Sequence, residues 1–192
     1  MKKPQLVRRR DAAATKSAIL SAARTLFARD SYENVGIREI ASLSGADAAL
    51  VSRYFGSKEE LFSEVLRSGK RGLDLIGEQM EGLPERVADL LLEPPEAKEE
   101  NPMDDILILL HSASSPTAAP LVQASIDERF HRPFAEVIGG DHAMTRSQIF
   151  GALLMGVSIS MRITGQSYAD EDERKRVHAR ISRLIELAIS PL

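Results

Sequence analysis

The chain has 192 residues with 25 Lys and Arg against 28 Asp and Glu, enough length for one small core and one larger one. It holds no cysteine, which excludes disulfides and thiolate metal sites and is compatible with a reducing cytoplasm. No apolar segment follows Met1-Lys-Lys, and no apolar run approaches the roughly 20 residues that cross a bilayer, so neither a signal peptide nor a membrane partner is expected. Charge is divided unevenly: residues 1–70 carry a net +5 and residues 71–192 a net −8. A basic first third on an acidic remainder fits a head that binds a polyanion, set on a different kind of body. Isoleucine, leucine and alanine dominate without strand-like alternation, so the fold class is all-α.

Residues 1–10 bring together Lys2, Lys3, Arg8, Arg9 and Arg10 without periodicity. They read equally as an unstructured tail and as an arm that neutralises phosphates or enters a minor groove. Further on, Ile37, Ile40 and Ala41 fall at i, i+3 and i+4 and give one apolar helical face. Gly45 stands where the chain must turn sharply, in a backbone region that costs other residues about 1–2 kcal/mol. Asp47 is a suitable N-cap for the helix that follows, in which Val51 and Phe55 form the core face. That helix then presents Ala48, Ala49, Ser52 and Arg53 outward, with Tyr54 towards the edge. Ser57-Lys-Glu-Glu60 spells a capping box, opening a helix expected to reach about Met80.

Beyond Gly82 and Pro84 a short helix is predicted from Glu85 to Leu92, then a polar, proline-rich loop over 93–102. Met103 to about His111 reads as a helix broken by Ser114-Ser-Pro116. Another begins near Thr117, tolerates Pro120 in its first turn, and is kinked or split at Pro133. Two long helices close the chain. The first, Ala143 to Thr164, aligns Ile149, Leu153, Gly156, Val157, Ser160 and Met161, with Gly151 and Gly156 permitting close approach. The second, Asp172 to Ile189, aligns Val177, Ile181, Leu184, Ile185 and Ala188. The acidic run from Asp170 to Glu173 caps its start rather than binding metal.

Two short helices around a glycine turn form a helix-turn-helix, whose second member can lie in a major groove. The segments Ile19-Leu-Ser-Ala-Ala-Arg-Thr-Leu-Phe27, Tyr32, Val35, Ile37-Arg-Glu-Ile-Ala41, Gly45 and Tyr54-Phe-Gly-Ser-Lys-Glu-Glu-Leu61 stand in one order. In these residues the chain resembles the tetracycline-repressor (TetR) family of bacterial transcription factors, from about Ala18 to Leu66. It departs from that pattern at Gly36, where the family usually has a capping threonine, leaving the cap to Gly36 or Asn34. Ser44 replaces an alanine, and Leu50 and Ser52 stand at common threonine and tyrosine positions. The backbone contact of that tyrosine then falls to Tyr54 or Arg53.

The resemblance implies a three-helix DNA-binding head over 1–66 and a ligand-binding and dimerisation body over 67–192, about nine helices in all. It further implies a homodimer paired through the last two helices, although their stripes would equally suit an internal core. Two heads about 34–36 Å apart reach successive major-groove faces, so the partner is a double-stranded DNA operator of palindromic form. At that operator Arg38 and Arg53 suit guanine edges or phosphates, while Ala48, Ala49 and Ser52 face the groove. Tyr54 and Lys58 suit phosphate.

A small-molecule effector pocket in the body would draw on Met103, Leu107, Leu110, His111, Ile126, Phe130, Phe134, Met155 and Ile159. The helix from Ser57 to Met80 would be its lever on the head. A regulator without effector, or an activator, fits the same residues. Catalysis does not: the four histidines show no His-Glu-x-x-His spacing, Glu128-x-x-His131 occurs once, and no nucleophile elbow or phosphate loop appears. No catalytic, metal or cofactor site is assigned.

Overall fold

The computed structural model describes residues 5–69, 77, 79–92, 103–164 and 170–191, without the side chains of 5–11, 103, 104 and 162. In chain order the helices are α1 (Gln5–Arg29), α2 (Ile37–Ser44), α3 (Ala48–Phe55), α4 (Lys58–Ser68) and α5 (Leu83–Leu92), followed by α6 (Met103–Ser112) and α7 (Ala118–Ile126). A π-helical turn (Asp127–His131), α8 (Arg132–Ile138), α9 (Ala143–Thr164) and α10 (Glu171–Ile189) complete the chain. No strand occurs among the described residues. The chain forms two compact units, residues 1–69 with 102–125, and 70–101 with 126–192.

The first unit is built on apolar spacing in α1. Ile19, Ala22, Ala23 and Phe27 are buried against Ile40 and Ala41 of α2, Val51 and Phe55 of α3, and Leu61, Phe62 and Val65 of α4. Leu26, beside Phe27 on α1, is half-buried. Phe27, Tyr32 and Phe62 close the core as an aromatic trio with centroids 4.9–5.9 Å apart, in edge-to-face and stacked arrangements that add to area burial. Helix α6 joins this unit along α1, where the Arg24 guanidinium pairs with Asp105 Oδ1 at 2.7 Å. Ser115 accepts from the Ala118 amide at the start of α7 and donates to the Glu33 carboxylate.

Two expectations are corrected here. The backbone is already helical from Gln5, because glutamine, leucine, arginine and alanine favour helix; only Lys2 and Lys3 of the basic arm lie outside the described residues. Helix α4 stops at Ser68, where Gly69 turns extended at ψ 160°. The Asp105 carboxylate lies 2.5 Å from where a Cβ on Gly69 would stand. Residues 70–76 and 78 lie outside the description, and Gly77, Gln79 and Met80 are not helical. The described helix is therefore shorter than the expected lever. The loop at 93–102 also lies outside the description.

The second unit packs α5 against α10 and α9 around Leu83, Val87, Ala88, Leu92, Phe134, Phe150, Ile181 and Ile185. Pro133 stands at the start of α8, just after the π-helical turn. Proline brings no N–H, so the regular ladder fails around it, and the Arg132 amide instead reaches the Asp127 carbonyl five residues back. Gly151 makes room for that turn, since a Cβ there would lie 2.9 Å from both the Phe130 and His131 rings. The stripes on the long helices are displaced from expectation. Leu153, Val157 and Met161 face the core, whereas Ile149, Gly156 and Ser160 are exposed. On α10, Val177, Ile181, Ile185 and Ala188 face inward and Leu184 does not. Each expected stripe was wider than the face one neighbouring layer covers.

Arg146 is the one large cation buried among the described residues, 4% exposed. Its Nε donates to the Asp141 carbonyl at 3.0 Å, Nη1 to the Ile189 carbonyl at 2.5 Å, and Nη2 to the Gly139 carbonyl. The Gly139 and Ile189 oxygens belong to the negative ends of α8 and α10, which favour a cation. Replacing Arg146 with methionine leaves these carbonyls without their donor and should cost on the order of 3 kcal/mol. Urea denaturation of the full chain measures it, and an unchanged midpoint would remove Arg146 from that role.

Candidate nucleic-acid interface

Gly45 sits in the left-handed region at φ 68°, ψ 17°. Its amide bonds to the Ser42 carbonyl, and that of Ala46 reaches Ala41, a Schellman-type close to α2. Asp47 then accepts from the Ala49 amide at 2.8 Å and starts α3. Ser57 accepts from the Glu60 amide at 3.1 Å while Glu60 accepts from that of Ser57 at 2.7 Å, completing the capping box of α4. The cap of α2 is Gly36, with no side-chain bond. Asn34 is engaged elsewhere, donating to Asp30 at 2.9 Å, which helps hold the Asp30 carboxyl below its usual range.

This geometry places Arg38, Ala49, Ser52 and Arg53 on the exposed side of the helix pair, with Ala48, Tyr54 and Lys58 half-buried. Arg38 and Arg53 have no ion pair or hydrogen bond to any described residue, and neither does Arg29 at the end of α1. Lys58 differs. Its ammonium lies 4.3 Å from the Tyr32 ring centroid and donates to the Glu33 carbonyl at 3.4 Å. Burial lowers the Lys58 pKa against the nearby Glu33 and Glu59 carboxylates. Burial, then the Glu59 carboxylate, pushes the Tyr32 phenol up to about 12. Sequence spacing gave no signal of this inward use of Lys58.

The expected pocket residues are divided between the two units. Leu107, Leu110 and His111 lie on α6 in the first unit, and the Met103 side chain lies outside the description. Phe130, Phe134, Met155 and Ile159 belong to the second unit, with Ile126 at its edge. Of these, Phe134 is wholly buried and stacks on Phe150 at 4.5 Å, with Phe130 beside both. Phe134 is therefore core. A shallow depression elsewhere is lined by Glu85, His178, Ala179, Ser182, Arg183 and Glu186, none of them a pocket candidate. Among the described residues no group of His, Asp and Glu is arranged to hold a metal ion.

A capped helix pair joined by a left-handed glycine, with exposed arginines on its outer side, has the geometry of a helix-turn-helix. The sequence matches the family described as bacterial regulatory proteins, tetR family, over residues 19–65, and the tetracyclin repressor-like C-terminal domain over residues 81–189. The chain belongs to the TetR family.

It is 37% identical over 93 residues to the HTH-type transcriptional repressor SCO4008 of Streptomyces coelicolor, covering 45% of this chain and 47% of that protein. The match thus spans about half the length of that relative. The fold is similar to that of NalD, the secondary repressor of the MexAB-OprM multidrug efflux pump in Pseudomonas aeruginosa. That similarity has a TM-score of 0.63 at 20% identity over 90% of this chain and 96% of that one. It is also similar to that of TylP, a TetR regulator from Streptomyces fradiae, with a TM-score of 0.60 at 22% identity over 92% and 81%. No described helix is long and apolar enough to cross a membrane.

Two consequences can be measured. No atom lies within 4 Å of a Cβ built on Gly45, so Gly45→Ala meets only backbone strain and should cost about 1–2 kcal/mol in thermal unfolding. His131 supplies a pH dependence. Burial lowers its pKa, opposed by the Asp127 carboxylate and a hydrogen bond between the ring and the Ser147 backbone. The unfolded ring protonates as pH falls through about 6.5, and the folded ring does so only at lower pH. Its contribution is complete above the unfolded value and is lost as pH falls through the lowered folded value. Between about pH 7.5 and about pH 5.5 the wild type should lose more thermal stability than His131→Gln.

Proposed function

We propose that the chain is a cytoplasmic, dimeric repressor that occupies a palindromic operator in double-stranded DNA and leaves it when a small apolar ligand binds. The division of labour is a DNA-binding head over 1–66 and a ligand-binding, dimerising body over 67–192. The observation that carries this reading is the exposed set Arg38, Ala49, Ser52 and Arg53 on a rigidly capped α2–α3 pair. Family membership supports a regulator, and the repressor named above supports the sign of regulation.

Dimerisation is supported by apolar side chains left uncovered on the last two helices. Ile163 is 79% and Leu187 74% exposed, with Ile149 and Leu184 about half exposed. Single exposed leucines are ordinary, but four large apolar groups on two neighbouring helices fit burial by a second copy. Within each head Arg38, Tyr54 and Lys58 bind phosphate, Lys58 by lifting its ammonium from the Tyr32 ring. Leu107, Leu110, His111, Ile126, Phe130, Met155 and Ile159 remain the proposed contacts of the effector, with Met103.

The test begins with selection of bound sequences from random DNA, followed by titration against salt. A palindromic site should emerge, bound by two copies. Arg38→Ala and Lys58→Ala should each weaken every site similarly and reduce the salt slope by about one unit per protomer. An unchanged slope removes that side chain from the interface. Leu184→Glu with Leu187→Glu should convert the dimer to monomer in sedimentation at unchanged helix content. An effector that binds free protein and operator complex equally sinks the release mechanism.

A further inference from the structure

We infer that α3 reads a thymine and a guanine lying within about two base pairs of each other. In this half-site Ala49 packs on the thymine 5-methyl group, and the Arg53 guanidinium donates to O6 and N7 of the guanine. The inference rests on the proposed operator-binding role and adds the bases that the role requires.

Three observations carry it. The first is which charges are available. Lys16 lies over the Phe55 ring and pairs with Glu64, Arg24 pairs with Asp105, Lys58 sits on Tyr32, and Arg67 pairs with Glu64. Arg29, Arg38 and Arg53 remain without a described partner, and of these only Arg53 is on α3. Arg38 is on α2, the helix that crosses the phosphate backbone in this motif.

The second is what α3 lacks. Its eight residues, Ala-Ala-Leu-Val-Ser-Arg-Tyr-Phe, include no Asn, Gln, Asp or Glu. An amide pairs with adenine through a donor and an acceptor, and a carboxylate accepts from the cytosine amino group; neither is present. Arginine only donates, and guanine presents two acceptors side by side in the major groove. Ser52 is exposed but its hydroxyl suits either base.

The third is reach. Ala49 and Arg53 are both exposed and stand four residues apart, on one face. Helical side chains lean towards the N-terminus, which brings the Arg53 head closer to the level of Ala49 than their backbone spacing alone. Four residues rise about 6 Å, and base pairs are stacked about 3.4 Å apart. The methyl contact and the guanidinium contact therefore fall within about two base pairs.

The full-length chain is tested on the selected operator with two altered bases, deoxyuridine for thymine and 7-deazaguanine for guanine. Loss of the 5-methyl group should weaken wild-type binding about fourfold and should not weaken Ala49→Gly further. Loss of N7 should weaken wild type about tenfold and leave Arg53→Ala unaffected. Arg53→Lys keeps the charge but loses the planar fork, so its preference for the guanine over other bases should fall. Circular dichroism confirms that each variant is folded. A selected site without a neighbouring thymine and guanine overturns the assignment, as do base and side-chain losses that simply add. Selection that enriches no sequence overturns operator binding itself, a separate outcome.

Discussion

A helix of eight residues has almost no stability of its own in water, yet the proposed reading surface is one. The shape of α3 therefore comes from its surroundings: the Asp47 cap at one end, Val51 and Phe55 in the core, and the left-handed Gly45 that sets its entry. Beneath it the Phe27–Tyr32–Phe62 trio fixes α1 against α4. Removing any of these supports would leave the outward side chains present but no longer held in one arrangement.

Charge in the first unit is organised by the same requirement. Arg24, Lys16 and Lys58 hold helices or loops in place, so a positive head by formal count has fewer cations free than its sequence indicates. Lys58 shows this most directly. Its ammonium over the Tyr32 ring gains a cation–π contact, but burial there disfavours the charge. The two effects oppose each other, which makes it a group whose position a nearby phosphate could shift. Arg38 and Arg53 face no such competition.

Much of the fold was legible because local chemistry dictated it. The Ser57–Glu60 box, the Asp47 cap and the Gly45 turn are each decided within a few residues, and each stands in the structure as the sequence implies. What escaped was decided by distant partners. Nothing near Gly69 announces that the Asp105 carboxylate lies beside it, so α4 ends earlier than its periodicity indicates. Pro133 marked a disturbance correctly, but its form as a π turn depends on the space left by Gly151. The outward face of α3 could be read from spacing, whereas the inward use of Lys58 could not. Residues proposed for the effector were chosen for apolar character alone, and apolar character does not separate a packed core such as Phe134 from a pocket wall.

The guanidinium of Arg146 meets three peptide oxygens and, among the described residues, no carboxylate. Its partners are uncharged peptide oxygens, so no opposite charge is needed to complete the clasp. Enclosure also keeps mobile ions away from it. The ends of α8 and α10 are thus fastened in a way that brine leaves alone.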